Sequence, residues 1–170
     1  MNKAVFFDRD GIIIKTKRLN NKPVAISKIN ELELIHGVKK LIKIVKKNYF
    51  IFIITNQPDV ERKKISKKNV DKINNFLKQY FKFDEVFTCY CSNNNCSFRK
   101  PNNGMIIKAK KKYNLDLKNS FLIGDRWKDI HAGIKSNCKT IYVDYDYDEI
   151  KPKKPNKVVR NIKDIIKFFE

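Results

Sequence analysis

The sequence predicts an α/β fold of three layers, with a mainly parallel sheet of about five strands between helices. Two observations lead to this fold class. Short apolar runs of strand length alternate along the chain with stretches whose apolar residues recur at helical spacing. Polar side chains follow several of these runs, at the edge where the ligand crevice of an open parallel sheet lies. We expect one domain over residues 1–170, because this length suffices for one well-buried core.

The first predicted strand, residues 4–7, ends in the motif Asp8-Arg9-Asp10-Gly11. Asp8 and Asp10 can share one divalent cation while one carboxylate remains free to attack a substrate. Gly11 allows the backbone to turn sharply after them. An ordinary turn stabilised by an aspartate side chain would explain the same pattern if it stood alone. The later motifs favour the catalytic interpretation.

The same patterns predict the other elements of the chain. Apolar runs predict strands over residues 49–54, 84–88, 120–123 and 140–143. Helical spacing predicts helices over residues 37–47, 66–80, 103–113 and 157–169, and a further helix that ends at residue 137. In the second helix, which Ser66 caps, the predicted buried face consists of Val70, Ile73, Phe76, Leu77 and Tyr80. Residues 15–28 are predicted to form a loop or small flap.

Further polar motifs follow the later strands. Thr55-Asn56-Gln57 ends the second strand, Arg99-Lys100 lies in the loop after the third, and Asp125 and Asp129 follow the fourth. Since parallel strands joined by a right-handed crossover lie side by side, we expect Thr55 close to Asp8. These residue types suit phosphoryl transfer. One carboxylate attacks phosphorus, a second transfers the proton of the leaving group, a third helps to hold a cation, and a hydroxyl and an ammonium neutralise phosphoryl oxygens.

The formal charge of +20 is consistent with binding of nucleic acid, because basic surfaces release counterions from phosphate backbones. Only six of the 38 basic residues are arginines, however, and the 32 lysines are spread along nearly every predicted helix. A dedicated nucleic-acid surface more often combines clustered arginines with exposed aromatic rings. We therefore expect a small anionic substrate and no nucleic-acid partner.

Three of the four cysteines, Cys89, Cys91 and Cys96, lie within eight positions of one another. This spacing is too close for an evenly spread disulfide framework and favours a metal-binding loop. No apolar run approaches the roughly 20 residues of a membrane helix, and no signal pattern precedes the first strand. We expect a soluble, cytoplasmic monomer without a membrane partner.

Together, these motifs resemble the four motifs of the haloacid dehalogenase superfamily. The matching segments are Phe7–Gly11, Thr55–Gln57, Arg99–Pro101 and Gly124–Asp129, and the likeness covers essentially the whole chain. The motifs Asp-Arg-Asp-Gly and Thr-Asn-Gln, with a cysteine-rich loop before Arg99, are most similar to the small capless phosphatases. That subgroup is typified by heptose 1,7-bisphosphate phosphatase and histidinol-phosphatase. The resemblance implies a capless, Rossmann-like fold and a Mg²⁺-dependent phosphatase acting on a small sugar phosphate.

The resemblance also implies roles for individual residues. Asp8 would be the nucleophile that forms an aspartyl-phosphate, and Asp10 the general acid and base. Mg²⁺ would be held by Asp8, the carbonyl group of Asp10 and Asp125, with Asp129 in support. Thr55, Asn56 and Lys100 would hold the phosphoryl group. Arg62 and Arg99 would hold the distal end of the substrate or its second phosphate.

The cysteine-rich loop departs from the family pattern at one position. The four zinc-ligand positions of the family correspond here to Cys89, Cys91, Cys96 and Phe98, and a phenyl ring cannot bind a metal. We therefore expect at most weak, substoichiometric zinc.

The sequence is also consistent with three alternative functions. They are a histidinol-phosphate phosphatase, a phosphatase of nucleic-acid 3′ ends, and an inactive phosphate-binding module. The presence of both Asp8 and Asp10 argues against the inactive module.

Overall fold

A six-stranded sheet forms the centre of the computed structural model, which describes residues 1–170. The strands are β1 (Ala4–Phe7), β2 (Lys17–Leu19), β3 (Lys22–Val24), β4 (Phe50–Asn56), β5 (Glu85–Cys89), β6 (Phe121–Gly124), β7 (Lys139–Val143) and β8 (Lys157–Val159). The helices are α1 (Val38–Val45), α2 (Lys67–Phe81), α3 (Gly104–Tyr113), α4 (Trp127–Lys135) and α5 (Ile162–Phe169). The main sheet has the order β5-β4-β1-β6-β7-β8, and every neighbouring pair is parallel.

Helices cover both faces of this sheet, which confirms the predicted three-layer α/β fold. One hydrophobic core of 24 residues joins the sheet to α1, α2 and α5, and a second core of 14 residues joins it to α3 and α4. The strand β1 contributes to both cores because successive side chains of a strand point to opposite faces. Val5 and Phe7 lie in the first core, and Ala4 and Phe6 lie in the second.

The central position of β1 determines where the polar motifs meet. Phe7 pairs with Ile53 of β4 on one side and with Ile123 of β6 on the other. The residues that follow these three strands therefore emerge at one edge of the sheet. They include Asp8 and Asp125.

The C-terminal segment differs from its predicted structure. The prediction of one helix over 157–169 is wrong for the first residues, because Lys157–Val159 form β8 beside β7. The helix α5 begins only at Ile162, where the side chain of Asn161 accepts a hydrogen bond from the backbone N–H of Asp164 at 3.1 Å. A strand of three residues is too short to show a periodic pattern. The sheet consequently has one strand more than expected.

The helix α2 begins where predicted, but its buried face differs in part. The hydroxyl of Ser66 accepts a hydrogen bond from the backbone N–H of Asn69 at 3.2 Å. The assignment of Phe76 and Tyr80 to the buried face is wrong, since their side chains are 40% and 47% exposed. The buried stripe follows the helical spacing of Val70, Ile73, Asn74, Leu77 and Phe81. Phe76 and Tyr80 lie beside this stripe and stack on each other.

The predicted flap between β1 and α1 is a short antiparallel hairpin of β2 and β3, called the flap hairpin below. Asn20 and Asn21 form its two-residue turn with positive φ angles of 49° and 54°. This conformation matches the twist of a tight hairpin, and asparagine adopts it more readily than most residues. None of the helices has both the length and the apolar character needed to cross a membrane.

Candidate active site

A crevice at the carboxyl edge of the sheet contains residues from all four sequence motifs. Asp8 and Asp10 follow β1, Asn56 ends β4, and Asp125 follows β6. Lys100 reaches the same crevice from the loop after β5. The remaining lining residues are Thr16, Pro23 and Ala25 of the flap segment, and Arg126, Lys128 and Asp129 around the start of α4. The structure thus brings together residues that lie more than 100 positions apart in the chain.

The ammonium group of Lys100 lies at the centre of this site, where its side chain is only 3% exposed. It donates hydrogen bonds to Asp8 Oδ1 at 2.8 Å and to the carbonyl oxygen of Ile54 at 2.9 Å, and it forms an ion pair with Asp129 Oδ1 at 2.6 Å. Burial disfavours the ammonium, but the carboxylates of Asp129 and Asp8 outweigh this and raise the pKa of Lys100 above its usual value. Lys100 therefore remains a cation beside the predicted nucleophile.

Asn56 fixes the backbone of Lys100 against the end of β4. Its Oδ1 accepts a hydrogen bond from the Lys100 N–H at 3.0 Å, and its Nδ2 donates one to the Lys100 carbonyl oxygen at 2.9 Å. This reciprocal pair fixes the orientation of the asparagine amide and the position of the loop together. Asn56 therefore lines the crevice and also positions Lys100.

The two oxygens of Asp8 have different surroundings. Oδ1 accepts hydrogen bonds from the Lys100 ammonium and from the Arg9 backbone N–H at 2.8 Å each, whereas no hydrogen bond reaches Oδ2. Burial raises the pKa of Asp8 to about 7, the negative charge of Asp129 adds to the rise, and the positive charge of Lys100 opposes it. The carboxylate is thus oriented through one oxygen and has the other available for attack.

Three carboxylates converge in this crevice, because oxygens of Asp8, Asp125 and Asp129 lie within 4.8 Å of one another. Burial, followed by the negative charges of Asp8 and Asp129, raises the pKa of Asp125 well above its usual value. Asp125 Oδ1 is buried without any hydrogen-bond partner. A buried oxygen atom without a partner is costly, and a hard divalent cation such as Mg²⁺ would satisfy it. The donor set therefore fits Mg²⁺.

Two glycines make this convergence possible. At Gly11, where φ is +88°, a Cβ atom would lie 1.9 Å from Asp125 Oδ2, and at Gly124 it would lie 2.2 Å from the Cβ of Asp129. Any larger side chain at either position would collide with a carboxylate. The motif glycines thus provide the space that the acidic side chains occupy.

Asp129 differs from the other two acids because both of its oxygens have protein partners. Oδ1 pairs with the ammonium of Lys100, and Oδ2 accepts a hydrogen bond from the backbone N–H of Arg126 at 3.1 Å. The second contact stabilises the start of α4, where a carboxylate is favoured. Asp129 therefore holds Lys100 in place, and its supporting role toward Mg²⁺ stays a prediction.

Asp10 is held by side chains whose contacts the sequence did not reveal. Its oxygens accept hydrogen bonds from Arg9 Nε at 3.0 Å and Arg9 Nη2 at 3.1 Å, and from Gln57 Nε2 at 2.7 Å. Gln57 Nε2 also lies 2.8 Å from the hydroxyl oxygen of Thr55, and Arg9 Nη1 donates to Asn74 Oδ1 at 2.9 Å. Thr55 is buried and linked to Asp10 through Gln57. In the sequence, the one feature that relates to this network is the position of Arg9 between the two aspartates.

The two arginines predicted to hold the distal end of the substrate are not among the lining residues. Arg62 is exposed and pairs with Asp59 at 3.2 Å. Arg99 is buried, and its Nη1 donates a hydrogen bond to the carbonyl oxygen of Cys91 at 2.9 Å. The crevice instead contains Arg126 and Lys128. These two basic residues belong to the fourth motif, so the motif itself could have identified them.

The cysteine-rich loop brings its three thiols together. The sulfur atoms of Cys89, Cys91 and Cys96 lie within 4.8 Å of one another, and those of Cys91 and Cys96 are 2.8 Å apart. The ring of Phe98, at the fourth ligand position of the family, is partly buried against the second core. The loop therefore offers three sulfur ligands and an apolar ring.

Comparisons with known proteins agree with this geometry. A family model described as polynucleotide kinase 3 phosphatase matches residues 3–148. The chain is 33% identical to D-glycero-alpha-D-manno-heptose-1,7-bisphosphate 7-phosphatase of Campylobacter jejuni, over 99% of this chain and 96% of that protein. It is 32% identical to D-glycero-beta-D-manno-heptose-1,7-bisphosphate 7-phosphatase of Helicobacter pylori, over 81% of each chain.

The fold is also shared with a solved structure. D,D-heptose 1,7-bisphosphate phosphatase of B. bronchiseptica, complexed with magnesium and phosphate, superposes with a TM-score of 0.80 at 18% identity, over 98% of this chain and 97% of that one. The sequence match, the shared fold and the four motifs at one edge of the sheet lead to the same family. The chain belongs to the haloacid dehalogenase superfamily, and within it to the polynucleotide kinase 3 phosphatase family.

Proposed function

We propose that this protein is a Mg²⁺-dependent phosphomonoesterase that hydrolyses a small sugar bisphosphate, of the heptose bisphosphate type, through an aspartyl-phosphate on Asp8. The observation that carries this proposal is the buried hydrogen bond between Lys100 and Asp8 Oδ1, which leaves Asp8 Oδ2 without a partner. A carboxylate oriented in this way, with acids and a cation around it, suits nucleophilic attack on a phosphate ester.

The proposed reaction has two steps, which are the formation and the hydrolysis of the aspartyl-phosphate. In the first step, Asp8 Oδ2 attacks phosphorus, the ester P–O bond breaks, and Asp10 supplies a proton to the departing alkoxide. In the second step, Asp10 removes a proton from a water molecule that attacks the phosphorus of the aspartyl-phosphate. Inorganic phosphate leaves and the Asp8 carboxylate is restored. Throughout, Lys100 and the hydroxyl of Thr55 offset the negative charge on the phosphoryl oxygens.

The residues that would hold Mg²⁺ are Asp8, Asp125 and the backbone carbonyl of Asp10. The partnerless Oδ1 of Asp125 supports this assignment, and so does the closeness of the Asp125 and Asp8 carboxylates. Asp129 is assigned a supporting role because Lys100 and the start of α4 already use both of its oxygens. When bound, Mg²⁺ would neutralise the clustered carboxylates and the phosphoryl group that approaches them.

A second phosphate on the substrate would give Lys128 an anionic partner, because this lining residue forms no ion pair, whereas its neighbour Arg126 already pairs with Glu149. Lys128 contacts the ring of Trp127 rather than a carboxylate. Burial lowers the pKa of Lys128, and the positive charges of Arg99 and Arg126 lower it further. An anionic group bound there would relieve this repulsion. Neither Arg99 nor Arg62 lines the crevice, so a role of these two arginines at the distal site rests on the sequence alone.

The relatives favour a heptose bisphosphate as the substrate. The proteins of Campylobacter jejuni and Helicobacter pylori are named as 7-phosphatases of the alpha and beta anomers, respectively. Relatives of both kinds match at similar identity, so we assign the class of sugar bisphosphate and no anomer. We place the reaction in carbohydrate metabolism of the cytoplasm, where the four free thiols would stay reduced, and we expect a monomer.

A second candidate is a phosphatase of nucleic-acid 3′ ends. The description of the matched family model and the charge of +20 favour it. This function requires productive contact with a polyanion, so its rate should fall steeply with added salt.

Phosphate release from a panel of substrates, measured with Mg²⁺, tests the proposal. The panel contains both anomers of heptose 1,7-bisphosphate, hexose bisphosphates, histidinol phosphate and an oligonucleotide with a 3′-phosphate. We expect one of the sugar bisphosphates to have the highest kcat/KM. A highest value for the oligonucleotide would establish the second candidate instead, and a highest value for histidinol phosphate would change the substrate class. Turnover of none of them would contradict the phosphatase function.

A further inference from the structure

The alternation of tyrosine and aspartate over residues 144–148 has no role in the mechanism above, yet one of its side chains reaches the acidic cluster. Tyr147 is only 6% exposed, and its hydroxyl donates a hydrogen bond to Asp125 Oδ2 at 3.0 Å. The other oxygen of the same carboxylate, Oδ1, is buried without a partner. The hydroxyl of Tyr147 thus distinguishes the two oxygens of Asp125.

Contacts on both sides hold Tyr147 in this position. On the N-terminal side, Asp144 Oδ1 accepts a hydrogen bond from the Asp146 N–H at 2.9 Å and closes a tight turn. On the C-terminal side, Glu149 pairs with the guanidinium of Arg126, whose Nε lies 2.9 Å from Glu149 Oε2. Arg126 directly follows Asp125 in the chain. The ion pair of Glu149 therefore holds residues 144–149 against the same loop that Tyr147 contacts.

We propose that Tyr147 is a positioning residue for the cation site. By occupying Oδ2, its hydroxyl fixes the carboxylate of Asp125 and leaves the partnerless Oδ1 to bind the divalent cation. Such partners of metal ligands orient the ligand, and their removal typically weakens metal binding by 10-fold to 100-fold. The inference deepens the proposed function and rests on it for the role of Asp125.

The ring of Tyr147 has a separate role, which allows the hydroxyl to be tested alone. The guanidinium of Arg18, in the flap hairpin, lies 5.2 Å from the centre of this ring. The same hairpin reaches the segment through Asn21, whose carbonyl oxygen accepts a hydrogen bond from the Asp148 N–H at 3.2 Å. Replacement by phenylalanine keeps the ring and its contact with Arg18 and removes only the hydroxyl.

The test compares Mg²⁺ binding by the wild-type protein, Tyr147→Phe and Tyr145→Phe, measured by isothermal titration calorimetry without substrate. Tyr145 lies in the same segment, and its ring packs beside that of Tyr147 with the centroids 5.8 Å apart. Its hydroxyl makes no hydrogen bond to Asp125, so Tyr145→Phe is a matched control. We expect Tyr147→Phe to raise the Kd for Mg²⁺ by about tenfold or more and Tyr145→Phe to leave it within twofold of wild type.

A double variant separates positioning from a general loss of structure. In an Asp125→Ala background the oriented carboxylate is gone, so adding Tyr147→Phe should change the residual Mg²⁺ affinity no further. A wild-type Kd in Tyr147→Phe, or an equal loss in Tyr145→Phe, would overturn the inference. So would an equal loss caused by Tyr147→Phe in the Asp125→Ala background. If the wild-type protein binds Mg²⁺ but cleaves no phosphate ester, the proposed function fails while this comparison still decides the role of Tyr147.

Discussion

Lys100 Nζ lies 2.8 Å from Asp8 Oδ1, although 92 positions separate the two residues in the chain. The same ammonium lies 2.6 Å from Asp129 Oδ1, so one buried cation compensates two buried carboxylates. A buried charge without a partner is strongly destabilising, and this arrangement avoids that cost before any substrate binds. It also leaves the nucleophile oriented while its second oxygen stays free. The proposed mechanism depends on this relationship.

Asp8→Asn should abolish turnover and leave the fold intact. The substitution removes the attacking carboxylate with little change of volume, and losing a nucleophile typically costs several powers of ten in rate. It also removes one of three clustered negative charges, so the melting temperature should not fall. The measurements are kcat for the best substrate and a thermal melt. A residual rate above about one hundredth of wild type would contradict covalent catalysis by Asp8.

Asp10→Asn should slow the reaction by roughly 10²–10⁴-fold for a substrate with a poor leaving group, because general acid help is lost. An aryl phosphate, whose leaving group needs no proton, should be affected less in the first step. The comparison of an alkyl and an aryl phosphate ester under single-turnover conditions measures this difference. Equal losses with both esters would show that Asp10 does not protonate the leaving group.

Substitutions of the two lysines of the crevice should change different kinetic constants. Lys100→Ala removes the cation beside the transferred phosphoryl group, so kcat should fall by roughly 10²–10³-fold. Lys128→Ala removes a cation assigned to the distal phosphate, so KM for a sugar bisphosphate should rise with little change in kcat. Lys135→Ala serves as the control, because Lys135 lies at the other end of α4 and contacts Asn102 on the surface. The same kinetic pattern in Lys100→Ala and Lys128→Ala would contradict this division.

Much of the site could be predicted because its residues directly follow apolar runs. Asp8 and Asp125 directly follow strands whose composition indicates burial, Thr55 lies at the end of another, and parallel strands bring their carboxyl ends to one edge. The fold class followed from the same alternation of strands and helices. For these elements the local sequence pattern agrees with the tertiary position, so the sequence alone was sufficient to predict the fold class and where these residues lie.

Contacts that depend on tertiary packing could not be predicted in this way. Tyr147 meets Asp125 only because the segment after β7 folds back over the carboxyl edge. Gln57 joins Asp10 to Thr55 through the orientation of one amide, which no spacing rule reveals. The strand β8 is too short for a periodic signal, and it gains its structure by pairing with β7. In each case a distant partner, rather than the local sequence, determines the role.

The last prediction concerns zinc in the cysteine-rich loop. Structural zinc sites normally have four protein ligands, and this loop offers three sulfur atoms and the ring of Phe98. Loss of one ligand weakens a site whose binding energy must also order the loop. The loop has other contacts that hold it, since Arg99 Nη1 donates to the Cys91 carbonyl oxygen and Asn102 Nδ2 donates to the Cys96 carbonyl oxygen at 3.1 Å. The loop should therefore keep its structure when it holds no zinc.

We accordingly expect the purified protein to contain less than one zinc per chain, measured by elemental analysis. Phosphatase activity should return fully when Mg²⁺ alone is added after chelation. The variant Phe98→Cys supplies the missing fourth ligand and should raise the zinc content towards one per chain, whereas Phe98→Leu, which restores no ligand, should not. One tightly held zinc per wild-type chain, or activity that returns only with added zinc, would show that another residue completes the site.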